Sequence, residues 1–148
     1  MNALRKLYKE LTSLHWEIGF LDNTFEGIVR GDKLKLTLVT HNFPNSWFAD
    51  PFILDVTDDT IIVLVEEVTK KISKGRISKL VIDRRNNYVI EKKVILERPG
   101  HLSFPIIYRK DDKIYVYPEN SEDGVLNIYE YNPINCLLYT SPSPRDRG

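Results

Sequence analysis

A single cysteine in 148 residues excludes a disulfide framework, and three scattered histidines (His15, His41, His101) without CxxC or HxxxH spacing exclude the common zinc patterns. No metal or cofactor is expected. Net charge is also missing, since 21 Lys and Arg balance 21 Asp and Glu. Such a chain has no long-range field with which to gather phosphate backbones or anionic lipid, so nucleic acid is not an expected partner. No apolar run approaches the ~18 residues of a membrane span, and no uninterrupted apolar stretch follows Arg5 and Lys6 as it would in a signal peptide. Neither membrane insertion nor secretion is signalled, which leaves the cytoplasm as the default location. What is present is 42% hydrophobic residues against 28% charged, enough for one packed domain.

The order of that material repeats. Phe52-Ile53-Leu54 leads to a turn at Asp58-Asp59, then to the aliphatic strand Ile61 to Val65, which ends in Glu66-Glu67. A second copy runs from Phe104-Pro105-Ile106-Ile107-Tyr108 through Asp111-Asp112 to Ile114-Tyr115-Val116-Tyr117 and Pro118-Glu119. Pro51 and Pro105 are 54 residues apart, Asp58 and Asp111 are 53, Glu66 and Glu119 are 53, and Gly75 and Gly124 are 49. Further strands are expected at Arg76 to Ile82 and Tyr88 to Leu96, after turns at Lys74-Gly75 and Asn86-Asn87. Four antiparallel strands at a period near fifty is the pattern of a β-propeller blade, whose two faces are covered only by stacking on neighbours. A β-sandwich also supplies short strands, but it gives no reason for a Pro, acidic turn, aliphatic strand and Glu to recur at fixed spacing. The expected fold is therefore all-β, a partial (truncated) β-propeller of four-stranded antiparallel blades with a short N-terminal helix. Trp16 to Leu21 and Leu34 to Thr40 read as outer strands of a preceding unit. Residues 1–15 carry Leu4, Leu7, Leu11 and Leu14 at helical spacing, an amphipathic helix suited to covering a sheet edge.

The tail Cys136 to Asp146, CLLYTSPSPRD, resembles the translation of a transposase sequencing adaptor. A Ser/Pro-rich linker is the alternative on composition. On either reading, residues 136–148 are expected to be disordered, and the resemblance makes them non-native. Residues 16–135 then form an arc in which the second unit lacks its fourth strand. An unclosed arc exposes strand edges and is expected to be loosely folded or prone to aggregate.

Five motifs occur in order: Ser46-Trp47-Phe48-Ala49-Asp50-Pro51-Phe52, Val65-Glu66-Glu67, Lys74-Gly75-Arg76-Ile77, His101-Leu102-Ser103-Phe104-Pro105 and Tyr117-Pro118-Glu119-Asn120. As a set they resemble the five-bladed propeller domain named after the N-terminal part of plant glucosamine inositolphosphorylceramide transferase. The resemblance covers roughly Trp16 to Tyr131. More distantly, Ala49-Asp50-Pro51 is similar to the first-blade motif of glycoside hydrolase families 43 and 32, in which the Asp is the catalytic base or nucleophile at the channel mouth. The nearer resemblance implies a carbohydrate or glycolipid partner, a role in cell-surface polysaccharide or glycolipid assembly, and an attached transferase domain in the full-length protein.

Glycoside cleavage needs two carboxyl groups about 5–5.5 Å apart for retention and about 6.5–9.5 Å apart for inversion. Asp50 is the first candidate, held extended by Pro51 at the start of an innermost strand. On its residues alone an Asp before Pro equally caps a turn by accepting backbone N–H groups. Glu66, Glu67 and Glu119 are the available partners. Neighbouring strand residues point to opposite faces, so Glu66 and Glu67 cannot both meet one ligand; the repeat pairs Glu66 with Glu119, which favours Glu66. The other reading of these glutamates is a surface ion pair with Lys70, Lys71 or Arg76. Trp47 would stack on the apolar face of a sugar ring, or pack in the core. His101 and Glu119 complete the candidate substrate-binding set, His101 as a donor to a hydroxyl or carboxylate, or as a structural hydrogen-bonder. Arg76 would orient an acidic partner or lie in solvent. A glycosidase-like enzyme and a glycan-binding domain both remain open, and the alternative is a non-catalytic protein-interaction propeller scaffold.

Overall fold

The run Thr60-Ile61-Ile62-Val63-Leu64-Val65 is nearly all β-branched or aliphatic between two polar turns, a pattern that suits a strand buried on both faces. In the computed structural model, which describes residues 16–140 other than 73, 121, 123, 125 and 136, that run is the centre of the fold. The first four-stranded sheet comprises β3 (Ser46–Val56), β4 (Thr60–Thr69), β5 (Arg76–Asp83) and β6 (Tyr88–Leu96), antiparallel in sequence order. The second repeats the arrangement with β7 (Ser103–Lys110), β8 (Lys113–Glu119), β9 (Tyr129–Asn132) and β10 (Leu137–Thr140). A two-stranded ribbon, β1 (Gly19–Leu21) with β2 (Leu36–Leu38), precedes both. The all-β, antiparallel expectation holds.

Alternation along β4 divides the interior in two. Leu64 points to a core shared with Leu54, Ile77 and Ile95 of the first sheet and Val116, Tyr129, Tyr131 and Leu138 of the second. Val63 and Val65 point the other way, to Leu80, Ile82, Phe48 and Val89, and there Ile18 and Val39 come from beside the ribbon. Each fully buried aliphatic contributes about 1.5–3 kcal/mol. The first sheet is thus the middle of three layers. Its β3 lies against β7 of the second sheet, and Arg109 on β7 donates to the Leu54 carbonyl. On the ribbon side Thr40 bridges in parallel to Tyr88, with Val89 N–H on the Thr40 carbonyl at 2.9 Å. The described residues close no ring.

Several expectations change. The expected helix over residues 1–15 lies outside the described residues. Instead a five-residue helix, α1 (Phe25–Val29), follows the first ribbon strand, N-capped by the Thr24 hydroxyl on Gly27 N–H at 3.1 Å. Of the tail expected to be disordered, residues 137–140 form a strand that pairs with β9 from Leu137 opposite Asn132 to Thr140 opposite Tyr129, and residues 136 and 141–148 lie outside the described residues. The second sheet therefore does not lack its fourth strand. The physical reason is general: β9 offers a row of backbone donors and acceptors that any short segment of adequate β propensity can satisfy, and Leu-Leu-Tyr-Thr buries Leu138 in the shared core while doing so. Whatever the origin of those residues, their ladder needs no particular side chains. Asp111 and Asp112 do form the turn read from sequence, both with positive φ (50° and 59°), which matches the twist of a tight hairpin between β7 and β8.

Candidate functional site

Pro51 has no N–H to give a ladder, and its effect on β3 is a bulge. Ala49 pairs with Glu66 and Phe52 with Leu64, so Asp50 and Pro51 together oppose Val65 alone. Asp50 absorbs the extra residue with φ +50°. The expectation that Pro51 holds it extended is thereby corrected: the bulge demands the left-handed region, and Asp is among the few non-glycine residues that tolerate it. The second copy has the same device. Ser103 pairs with Glu119 and Ile106 with Tyr117, leaving Phe104 at φ +44° before Pro105. A phenylalanine there costs roughly 1–2 kcal/mol of backbone strain. Two strained bulges from adjacent sheets meet, with Phe104 N–H directed at Asp50 Oδ2 across 3.4 Å.

Glu66, paired with Ala49 beside that bulge, faces the second sheet and is almost fully buried. A chain of polar contacts fixes it. Gly75 N–H donates to His101 Nδ1 at 3.0 Å, so the neutral imidazole carries its proton on Nε2, which meets Glu66 Oε1 at 3.1 Å. Glu66 in turn hydrogen-bonds Asp50. Burial, the Asp50 hydrogen bond and the negative charges of Asp50 and Glu119 together push the Glu66 carboxyl up to about 7. Glu119 stands at the end of β8, more exposed, accepting from Ser103 Oγ at 3.5 Å.

These groups open onto a cavity of about 630 Å³ lined by Trp16, Trp47, Ala49, Asp50, Glu66, Val68, His101, Ser103 and Phe104. The structure therefore brings Asp50, Glu66, Trp47 and His101 to one cavity, with Glu119 near enough to act on Glu66 electrostatically. A neighbouring apolar hollow takes Glu119 together with Phe104, Ile106 and Tyr117. Carboxyls in hydrogen-bond contact, as Asp50 and Glu66 are, share a proton more readily than they flank a glycosidic oxygen at about 5 Å or more. Among the described residues no cluster of three or more His, Cys, Asp or Glu is arranged to hold a metal ion.

Sequence reasoning missed Gly75 as a site residue. A Cβ there would run into the Leu102 carbonyl and lie 2.6 Å from Glu66 Oε1. The Gly75 carbonyl also accepts Leu102 N–H at 2.9 Å, tying the β4–β5 turn to the second sheet. Gly75→Ala is expected to lower stability by about 1–3 kcal/mol and to displace His101 from Glu66. Urea unfolding and the His101 ring chemical shifts would register both; an unchanged midpoint would refute the close approach.

Glu67, read as a possible strand-end residue, is fully buried on the opposite face of β4. Ser46 Oγ at 2.8 Å and the Lys92 ammonium bond Oε1, while Ser78 Oγ at 2.6 Å and Arg76 Nε at 3.2 Å bond Oε2. Burial alone would raise its pKa, but these four donors outweigh it and hold the carboxyl at about 2. Arg76 is accordingly not in solvent; it spans Glu67 and Glu97. A hint lay in the spacing, since Glu67, Arg76 and Ser78 flank one turn, but Lys92 and Ser46 come from strands whose register the sequence does not state.

Residues 35–137 match the family described as glucosamine inositolphosphorylceramide transferase 1, N-terminal. The chain belongs to this family. It is 30% identical over 86 residues to glucosamine inositolphosphorylceramide transferase 1 of Arabidopsis thaliana, covering 58% of this chain and 11% of that protein. The enzyme of the same name from Oryza sativa subsp. indica is 27% identical over 88 residues, 59% of this chain and 12% of its own length. The chain thus spans about an eighth or less of the curated relatives it matches. No solved structure matches it.

Proposed function

We propose that the chain is a carbohydrate-recognition segment of a glycolipid-assembly protein, built as an arc of propeller blades. The observation that carries the reading is the cavity in which two indoles, Trp16 and Trp47, stand beside the fixed Asp50, Glu66 and His101. Aromatic walls with a few convergent polar groups suit a sugar ring, whose faces are apolar and whose rim is hydroxylated. The glycolipid context comes from the relatives, which are named glucosamine inositolphosphorylceramide transferase 1. The propeller reading is supported by the repeated X-Pro bulge, by sheets of consecutive antiparallel strands, and by a middle sheet covered on both faces. No helix among the described residues is long and apolar enough to cross a membrane.

Titration of the chain with uncharged oligosaccharides, followed by tryptophan fluorescence, tests the reading. Saturable quenching is expected, and Trp47→Ala should weaken binding by about two- to tenfold, in keeping with ~0.5–1.5 kcal/mol for an aromatic stack. Quenching indifferent to Trp47, or none with any sugar, would favour a protein-interaction scaffold. A second, glycosidase-like reading rests on Glu66, whose carboxyl at about 7 stays partly protonated near neutrality, as a general acid must. It requires a ligand to part Asp50 from Glu66.

A further inference from the structure

The chemistry of the cavity wall narrows the ligand beyond carbohydrate. Its lining includes two carboxyl side chains, Asp50 and Glu66, and no lysine or arginine. Of the basic residues of the adjoining β4–β5 turn, Lys74 bonds the Pro99 carbonyl and Glu122, Lys70 and Lys71 are exposed and do not line the cavity, and Arg76 just beyond them is held by Glu67 and Glu97. His101 does not supply a cation to a ligand either, because Nδ1 accepts from Gly75 and Nε2 faces Glu66. Besides the indole N–H groups, the polar side-chain groups that face a ligand are acceptors, the carboxylate oxygens and the Ser103 hydroxyl, whose proton is directed to Glu119. A polyol rim brings O–H donors to such acceptors. A carboxylate or phosphoryl group brings none.

Resting on the carbohydrate reading above, we propose that this cavity takes an uncharged sugar ring and rejects anionic glycans and phosphorylated headgroups. Two features combine to impose the selection. Each indole face stacks on an unionised ring without discrimination, so the aromatic wall supplies affinity. The Asp50–Glu66 pair supplies the sign, since an anion brought to within a few ångströms of a carboxylate in a partly enclosed site meets a repulsion that solvent screens only in part. Any phosphoinositol portion of a glycolipid would then lie outside the cavity, with only a neutral ring inserted.

The experiment compares matched trisaccharides on the whole chain at low ionic strength, with calorimetry or ligand-observed NMR as readout. Uncharged trimers of glucose, mannose, galactose and N-acetylglucosamine form one arm, and trigalacturonate the other. At least one neutral trimer is expected to bind, with trigalacturonate weaker by about tenfold or more. Asp50→Asn, checked for an unchanged melt, should narrow that gap by admitting the anion. Trigalacturonate binding as tightly as the neutral trimers would overturn the charge selection while leaving a carbohydrate site in place. Binding of no neutral trimer would remove both readings together.

Discussion

Replacing Glu67 by alanine is expected to lower the unfolding free energy by about 3–5 kcal/mol, a large share of what a domain of this size possesses. The size of the effect comes from what remains. Lys92 and Arg76, each with a side chain less than a fifth exposed, would face one another across an emptied site with no carboxylate between them. Ser78, fully buried, would lose its acceptor. Lys92 has a partial refuge over the rings of Phe43 and Phe48, 4.8 and 5.9 Å from their centroids, but a cation–π contact replaces only part of an ion pair. Glu67→Gln keeps the shape and two acceptor lone pairs and should cost less, about 1–3 kcal/mol. Urea unfolding of the three proteins checks the order. An alanine variant as stable as the parent would mean that the network is not formed in solution.

The pH dependence follows with a definite sign. The Glu67 carboxyl sits at about 2 in the fold against an ordinary 4.5, so the stability it contributes is complete above 4.5 and is lost as pH falls toward 2. Ser46 and Lys92 reach this carboxylate from β3 and β6, the two outer strands of the first sheet, whereas Arg76 and Ser78 reach it from β5. One buried charge therefore pins all four strands. The same strand carries Glu66, one residue earlier, on the opposite face.

How much of this was legible in the sequence depends on whether the physics was local. The 54-residue spacing of Pro51 and Pro105 marked two equivalent positions, and at both the structure shows the same bulge, because a proline in a ladder has one consequence wherever it occurs. Strict alternation along β4 separated Glu66 from Glu67 without any coordinates. The positive φ of Asp50 was not legible, since the tendency of a pre-proline residue to be extended pointed the other way and the register of β3 against β4 overrode it. Nor was β10, whose pairing depends on an open edge more than on its own residues. The role of Glu67 required knowing that Ser46, Arg76, Ser78 and Lys92 converge, and residues 46 and 92 are brought together only by the completed sheet.

Asp50→Asn is expected to bring the titration of Glu66 down from about 7 toward the usual carboxylate range, because Asp50 supplies both a hydrogen bond and a negative charge that favour the protonated form. Burial and Glu119 remain, so the shift should be incomplete. Carbon-detected NMR of glutamate-labelled chain would follow it directly. The stability consequence has the opposite sign to that of Glu67. With its folded pKa above the unfolded value, Glu66 contributes stability that is complete below pH 4.5 and is lost as pH rises through 7. For a carboxyl this buried the swing is about 3 kcal/mol between those limits. The parent should therefore grow more stable as pH falls from 7 to 4.5, then less stable toward 2 as Glu67 is protonated. Asp50→Asn should flatten the upper limb and leave the lower one untouched, whereas Glu67→Gln should do the reverse. A parent whose stability rises steadily from pH 4.5 to 7 would show that Asp50 and Glu66 do not confront each other in the folded chain, and the site built on their contact would have to be abandoned.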